Sequence, residues 1–117
     1  MGYMKHSGII ATTWSEKMPI VYDNVCVIIK SVDSRFMSCL TLICAGRANG
    51  FLSFAFLPDG SKEGWDVSDT GDTIRQKICD YLDSTHQPGD AWVEYIEVTF
   101  GGDDRDVTYR QPPESHD

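Results

Sequence analysis

One amphipathic helix is the strongest structural signal in the chain. Its apolar residues recur at helical spacing and form a single stripe: Ile74, Ile78, Tyr81 and Leu82. The charged residues Arg75, Asp80 and Asp83 lie away from that stripe, so we expect the helix to bury one face and expose the other. Residues that favour helix N-caps, Ser68–Thr70, mark its start. The fold must therefore provide an apolar surface on which this helix packs.

Strand-like runs occupy most of the remaining sequence. We expect four before the helix and one or two after it: Ile9–Trp14, Tyr22–Val32, Phe36–Ala45, Phe51–Leu57, Ala91–Phe100 and Asp106–Arg110. The run Tyr22–Val32 is rich in β-branched residues and apolar on both faces, which is typical of a central strand. The order ββββαβ(β) predicts an α+β fold, with an antiparallel β-sheet of five or six strands and one amphipathic helix packed on one face. The length of 117 residues suits one domain; we assign residues 1–110 to it and 111–117 to a disordered tail.

Acidic residues are concentrated in the last third of the chain. The formal charge is −8, and residues 1–79 hold eight basic and eight acidic side chains, so the whole excess lies in residues 80–117. Such a surface repels phosphate, so neither nucleic acid nor an anionic membrane is an expected partner. No apolar run approaches the roughly 18 residues of a spanning helix, and no signal-peptide pattern is present. We therefore expect a cytoplasmic protein.

Aromatic and acidic residues alternate in this last third. Carboxylates steer the encounter with a basic partner, while aromatic side chains supply anchors that lose their water on binding. These properties predict a non-enzymatic interaction module, such as an inhibitor or immunity-like binder of a basic protein, with these contact residues: Trp65, Trp92, Glu94, Tyr95, Glu97, Asp103 and Asp104. The alternative is a solvated acidic face that only keeps the protein soluble.

The segment Asp59–Arg75 is longer than most connections and contains a central tryptophan. In the first of three interpretations, Trp65 folds back onto the core while the aspartates cap the helix. In the second, the segment presents Trp65 to a partner. In the third, Asp66, Asp69 and Asp72 bind a metal ion, which would make the chain a metal-binding or metal-dependent hydrolytic protein, although the spacing is not that of an EF-hand.

Motifs for catalysis and cofactor binding are absent from the sequence. G-x-S-x-G, H-E-x-x-H, C-x-x-C and G-x-G-x-x-G do not occur, so we assign no catalytic residue, no metal ligand and no cofactor. The four cysteines lie in apolar surroundings, and we interpret them as reduced core residues.

Short motifs in the second half of the chain carry a resemblance. The run G-S-K-E-G-W is followed by S-D-T-G-D, Arg75, W-V-E and F-G-G-D-D. This pattern is similar to one in small uncharacterised proteins of bacteria and their phages and covers about Phe51–Asp104. The resemblance implies a small cytoplasmic accessory protein and names no activity. A structural component of a phage or prophage is a further alternative.

Overall fold

The computed structural model describes residues 5–62, 64–86, 93–101 and 107–112, which form five strands and two α-helices. The elements follow the order βαββαββ, and a 3₁₀ helix continues directly from α1. Their bounds are β1 (His6–Trp14), α1 (Met18–Asp33), the 3₁₀ helix (Ser34–Cys39), β2 (Cys44–Ala45), β3 (Phe51–Phe56), α2 (Asp66–Ser84), β4 (Glu94–Phe100) and β5 (Thr108–Arg110). The predicted α+β class with an antiparallel sheet is confirmed.

The sheet has the order β2-β3-β1-β4-β5, and every neighbouring pair is antiparallel. The central strand β1 pairs with β3 on one side and β4 on the other, so Ile9 lies opposite both Phe56 and Glu97. The elements β1 to β4, with their two helices, have the connectivity of the split β-α-β arrangement, and β5 extends the sheet beyond it.

Both helices contribute to one apolar core on a single face of the sheet. Side chains alternate between the two faces of a strand, and on β1 the buried Ile9 and Ala11 lie on the covered face. The other residues of this core include Phe54, Phe56, Val93 and Tyr95 from the sheet side, Met18, Val21, Val25 and Ile29 from α1, and Ile74, Ile78 and Leu82 from α2. The opposite face of the sheet receives neither helix.

The predicted central strand Tyr22–Val32 is wrong, because this segment lies in α1. Its β-branched residues suggested a strand, but the buried residues Val21, Val25 and Ile29 are four apart and form one helical stripe. Pro19 lies in the first turn of the helix, where its missing N–H costs no hydrogen bond. Packing of this stripe against the sheet outweighs the weak strand propensity of the individual residues.

The predicted strand Phe36–Ala45 is also wrong over most of its length. The Asp33 carboxylate accepts a hydrogen bond from the Arg35 backbone N–H and starts the 3₁₀ helix, which buries Phe36. Only the two residues of β2 remain as a strand at the end of the segment. The order is therefore βαββαββ rather than ββββαβ(β), with two helices instead of one.

The predicted helix near residue 74 is confirmed as α2, and Ile74, Ile78 and Leu82 are fully buried. Its start differs from the prediction: Trp65 occupies the N-cap without a side-chain hydrogen bond, and Ser68–Thr70 lie inside the helix.

In the described part of the chain, no helix has the length and apolar character needed to cross a membrane. The predicted tail is described only at residues 111 and 112; residues 113–117 lie outside the described ranges.

Candidate interaction surface

The face of the sheet that receives neither helix is rich in apolar and aromatic side chains. We call it the open face. By strand alternation and register, its described residues are His6, Ile10, Thr12, Trp14, Cys44, Phe51, Ser53, Ala55, Glu94, Ile96, Val98, Phe100 and Tyr109. The exposed fraction is 55% for Ile10, 43% for Phe100 and 66% for Tyr109. Large apolar side chains thus remain in contact with water across the central strand and one flank of the sheet.

Two ring contacts organise the aromatic side chains at opposite ends of β1. Trp14 stacks on Phe51 of β3 with ring centroids 4.2 Å apart and an interplanar angle of 26°. At the other end, the His6 ring lies 5.5 Å from that of Phe100, tilted by 47°. Packed aromatic rings lose little conformational entropy when a partner covers them. These contacts therefore make the open face a preorganised apolar surface.

Formal charge is sparse on this surface. Among its described residues, Glu94 carries a formal charge, and His6 counts as neutral at pH 7. Glu94 pairs in register with Thr12 towards one end of the sheet, while His6 pairs with Phe100 at the other end. The open face is therefore close to neutral in a chain whose formal charge is −8.

A cluster of charged side chains lies behind the sheet on the covered side, and all of its members except Asp72 are largely buried. The side chain of Arg75 is only 7% exposed, and its Nη2 donates to Asp72 Oδ1 at 2.6 Å. Its Nη1 lies 3.7 Å from Asp59 Oδ2, and its Nε lies 3.9 Å from Glu97 Oε2. Asp59 also accepts hydrogen bonds from the backbone N–H and hydroxyl of Ser61. This arginine cluster links the segment before α2, the helix itself and β4.

Burial dominates the titration of Glu97. Loss of solvent raises its pKa above the ordinary value of 4.5, although the nearby Arg75 and Arg110 act in the opposite direction. The cluster thus holds a carboxyl group whose charged form is disfavoured by its surroundings.

A second polar cluster attaches β4 and β5 to the C-terminal half of α2. The Tyr95 hydroxyl donates to Asp83 Oδ1 at 2.6 Å, and Arg110 Nη2 donates to Asp83 Oδ2 at 2.5 Å and to Asp80 Oδ1 at 3.1 Å. Burial and the hydrogen bond to Asp83 both raise the pKa of Tyr95. Burial also raises the pKa of the Cys79 thiol to about 12, so this thiol stays protonated at neutral pH. Both clusters hold the scaffold behind the open face in place.

The predicted contact residues are not gathered on one surface. Glu94 lies on the open face, whereas Tyr95 is 5% exposed on the covered face and Glu97 lies on that face in the arginine cluster. Trp65 is the N-cap residue of α2 and belongs to none of the sheet strands. The remaining predicted residues, Trp92, Asp103 and Asp104, lie outside the described residues.

Trp65 does not fold back onto the core, so this part of the first interpretation of the segment Asp59–Arg75 is wrong. Its side chain is 52% exposed, and the Lys62 ammonium lies 5.8 Å from the ring centroid. The neighbouring Val67 is 46% exposed and lines a cavity of about 230 Å³ beside the 3₁₀ helix. Asp66 and Asp69 follow in the first turn of α2. An aromatic and an aliphatic side chain are thus exposed next to two carboxylates.

The three aspartates proposed as metal ligands have different surroundings. Asp66 and Asp69 lie in the first turn of α2, where carboxylates favour the positive end of the helix dipole, and Asp72 is paired with Arg75. Within residues 5–62, 64–86, 93–101 and 107–112, no three His, Cys, Asp or Glu side chains converge as metal ligands would.

The cysteines differ in burial. Cys79 is fully buried, as predicted for a core residue, but Cys26 and Cys39 are only partly buried and Cys44 is exposed on β2. The prediction is therefore wrong for Cys44. All four cysteines are free thiols.

Sequence reasoning missed most of the open face. Alternation along the predicted strand Ala91–Phe100 places Ile96, Val98 and Phe100 on one face with Glu94, and the strand register agrees. The signal for the rest was available: the strand Ile9–Trp14 carries apolar residues on both faces, although helices were expected on only one. Comparison with protein-family models, with curated proteins and with solved structures finds no match to this chain.

Proposed function

We propose that this protein is a non-enzymatic interaction module that binds another protein surface through its open face. The observation that carries the proposal is the exposure of large apolar side chains, among them Ile10, Phe100 and Tyr109, on one continuous sheet surface. Folded monomers rarely leave extended apolar patches in water, and such patches mark sites of protein contact. Covering half-exposed side chains of this size would contribute about 1 kcal/mol each.

The architecture behind the open face supports this role. Helices α1 and α2 fill the covered face, while the arginine cluster and the Tyr95–Asp83–Arg110 contacts attach β4 and β5 to α2. A rigid scaffold holds the exposed side chains in position, so binding requires little ordering of the chain. The Trp14–Phe51 stack supplies an anchor of the kind that dominates binding energies in protein interfaces.

A photo-crosslinking experiment tests the proposal even while the partner is unidentified. A photoreactive phenylalanine analogue replaces Tyr109 on the open face or, as a matched control, Val27 of α1, which is 64% exposed. We expect defined covalent adducts from position 109 after irradiation in living cells, and none from position 27. Equal adduct patterns from the two positions, or no adduct from position 109, would contradict the proposal.

A second candidate function uses a different surface, the start of α2. Exposed Trp65 and Val67 lie beside Asp66 and Asp69, which favours a partner that offers both apolar and basic groups. In this function the chain is an inhibitor or immunity-like binder of a basic protein. Its test places the photoreactive residue at position 65 and compares adducts at 50 mM and 500 mM salt. We expect a basic adduct partner and a lower yield at high salt; an unchanged yield would contradict this candidate.

A further inference from the structure

We infer that the open face is covered by a second copy of this chain, so that the two sheets pack face to face. A two-fold axis relates the two copies; it lies between the sheets and is perpendicular to β1. This inference rests on the proposed function, because it names the occupant of the same surface. Three properties of the described residues support it: the area of the face, the length of the edge strands and the distribution of charge.

The area is close to what a specific dimer needs. Strands β1, β3 and β4 have nine, six and seven residues, and β2 and β5 add two and three. With about 4.8 Å between strands and about 3.3 Å per residue, the projected face covers about 430 Å² per copy, or about 860 Å² for two. This flat projection lies just below the roughly 1,000 Å² expected of a biological interface, and interdigitated side chains bury more surface than the projection counts.

The edges of the sheet are poor sites for association. A partner strand added beside β2 or β5 would find only two or three paired residues, and Arg110 stands on the β5 edge. Short, charged edges oppose strand addition. Association of this sheet with another copy is therefore favoured through its face.

Charge favours a second copy as the occupant. Two chains of formal charge −8 repel each other through most surfaces, but the described part of the open face carries a single formal charge, at Glu94. Face-to-face packing therefore brings two copies together through their least charged region. An isologous interface requires such a self-compatible patch, because the same residues meet across the axis.

The positions of Glu94 and His6 select the direction of the axis. An axis perpendicular to β1 exchanges the ends of the strands, so Glu94 of each copy approaches the end that carries His6 of the other. The same rotation brings the Trp14–Phe51 stack of one copy towards the His6–Phe100 pair of the other and places Ile10 near the axis. An axis parallel to β1 would instead place both Glu94 side chains at one end, far from His6.

The first test is the mass of the full chain in solution by sedimentation velocity between about 1 and 100 µM. We expect a species of twice 13.1 kDa, and Ile10→Lys should weaken the dimer at least tenfold because it places a cation at the centre of the face. The matched control Ile20→Lys changes an isoleucine on α1 that is 65% exposed, and it should leave the dimer unchanged. A wild-type mass of 13.1 kDa throughout, or equal effects of the two variants, would overturn the inference.

The second test is a charge exchange that addresses the axis. The variant His6→Glu places two carboxylates together in the proposed arrangement and should weaken the dimer, whereas His6→Glu with Glu94→Lys should restore it. A double variant as weak as His6→Glu alone would overturn the axis. Circular dichroism verifies that each variant is folded.

The inference and the proposed function can fail separately. Adducts from position 109 that contain a different protein, together with a monomeric mass, would overturn the dimer and leave the interaction module standing. Absence of any adduct from position 109 together with a monomeric mass would overturn both.

Discussion

Arg75 and Glu97 face each other between α2 and β4, with Arg75 Nε 3.9 Å from Glu97 Oε2. Arg75 lies in α2 and Glu97 lies in β4, so only the tertiary fold brings the two side chains together. Because Asp59 and Glu97 are largely screened from water, the guanidinium of Arg75 is the charge that makes their burial tolerable.

Replacement of Arg75 by Met should therefore lower the free energy of unfolding by about 3 kcal/mol, because it removes the guanidinium that pairs with the buried carboxylates of Asp59 and Glu97. Urea unfolding at one fixed protein concentration, followed by tryptophan fluorescence, measures the change. The control is Arg35→Met: the Arg35 side chain is 86% exposed although it pairs with Asp33, and its variant should unfold close to the wild-type midpoint. Equal midpoints for the two variants would show that the arginine cluster does not stabilise the fold.

The raised pKa of Glu97 predicts a pH dependence of stability. Between the ordinary value of 4.5 and the higher pKa of the folded protein, the folded state binds more protons than the unfolded state, so the free energy of unfolding falls as pH rises through this window. Glu97→Gln replaces the carboxyl group with an amide, which takes up no proton in this window. The difference in unfolding free energy, Glu97→Gln minus wild type, should therefore increase with pH in the window. A difference that stays constant or decreases would contradict the assigned direction of the shift.

The hydrogen bond from Tyr95 to Asp83 should contribute to stability. Tyr95→Phe removes the hydroxyl and leaves the ring, so we expect a loss of about 1–2 kcal/mol in the free energy of unfolding. Tyr109→Phe is the matched control, with Ile10→Lys present in both variants so that the open face stays uncovered and the Tyr109 side chain remains 66% exposed. Thermal unfolding of both variants at neutral pH compares the two hydroxyl groups. A similar small change in both would contradict a stabilising role for the Tyr95–Asp83 contact.

Thiol reactivity should follow burial. Within one copy Cys44 is exposed, whereas Cys79 is buried with a pKa raised to about 12. In the Ile10→Lys background, which keeps the open face uncovered, an aromatic disulfide reagent at pH 8 should therefore label Cys44 within the mixing time and Cys79 only after unfolding. The single variants Cys44→Ser and Cys79→Ser identify which cysteine reacts in the fast labelling phase and which reacts only after unfolding. Rapid labelling that persists in Cys44→Ser and disappears in Cys79→Ser would contradict the buried position of Cys79.

Local sequence patterns predicted α2 but not α1, and the reason is physical. The apolar stripe of α2 is set among polar residues, so only a helical period describes it. In α1 the exposed face also carries apolar residues, including Ile20 and Val27, which hides the four-residue spacing of Val21, Val25 and Ile29 among β-branched neighbours. The error in α1 added one strand to the predicted sheet and omitted one helix from its covered side.

The candidate surface was only partly predictable. Alternation along β4 indicated that Glu94 shares a face with Phe100, whereas the register that places Trp14 beside Phe51 depends on strands 37 residues apart along the chain. Ion pairs such as Arg110 with Asp83 likewise depend on tertiary contacts that no local spacing indicates. The face on which a strand residue lies can be inferred from the local sequence, but the identity and register of the partner strand cannot.

The most direct test of the central claim is the comparison of photo-crosslinked adducts from positions 109 and 27 under identical irradiation. Binding through the open face predicts defined adducts from position 109 and none from position 27. No adduct from position 109, or the same adducts from both positions, would contradict the claim.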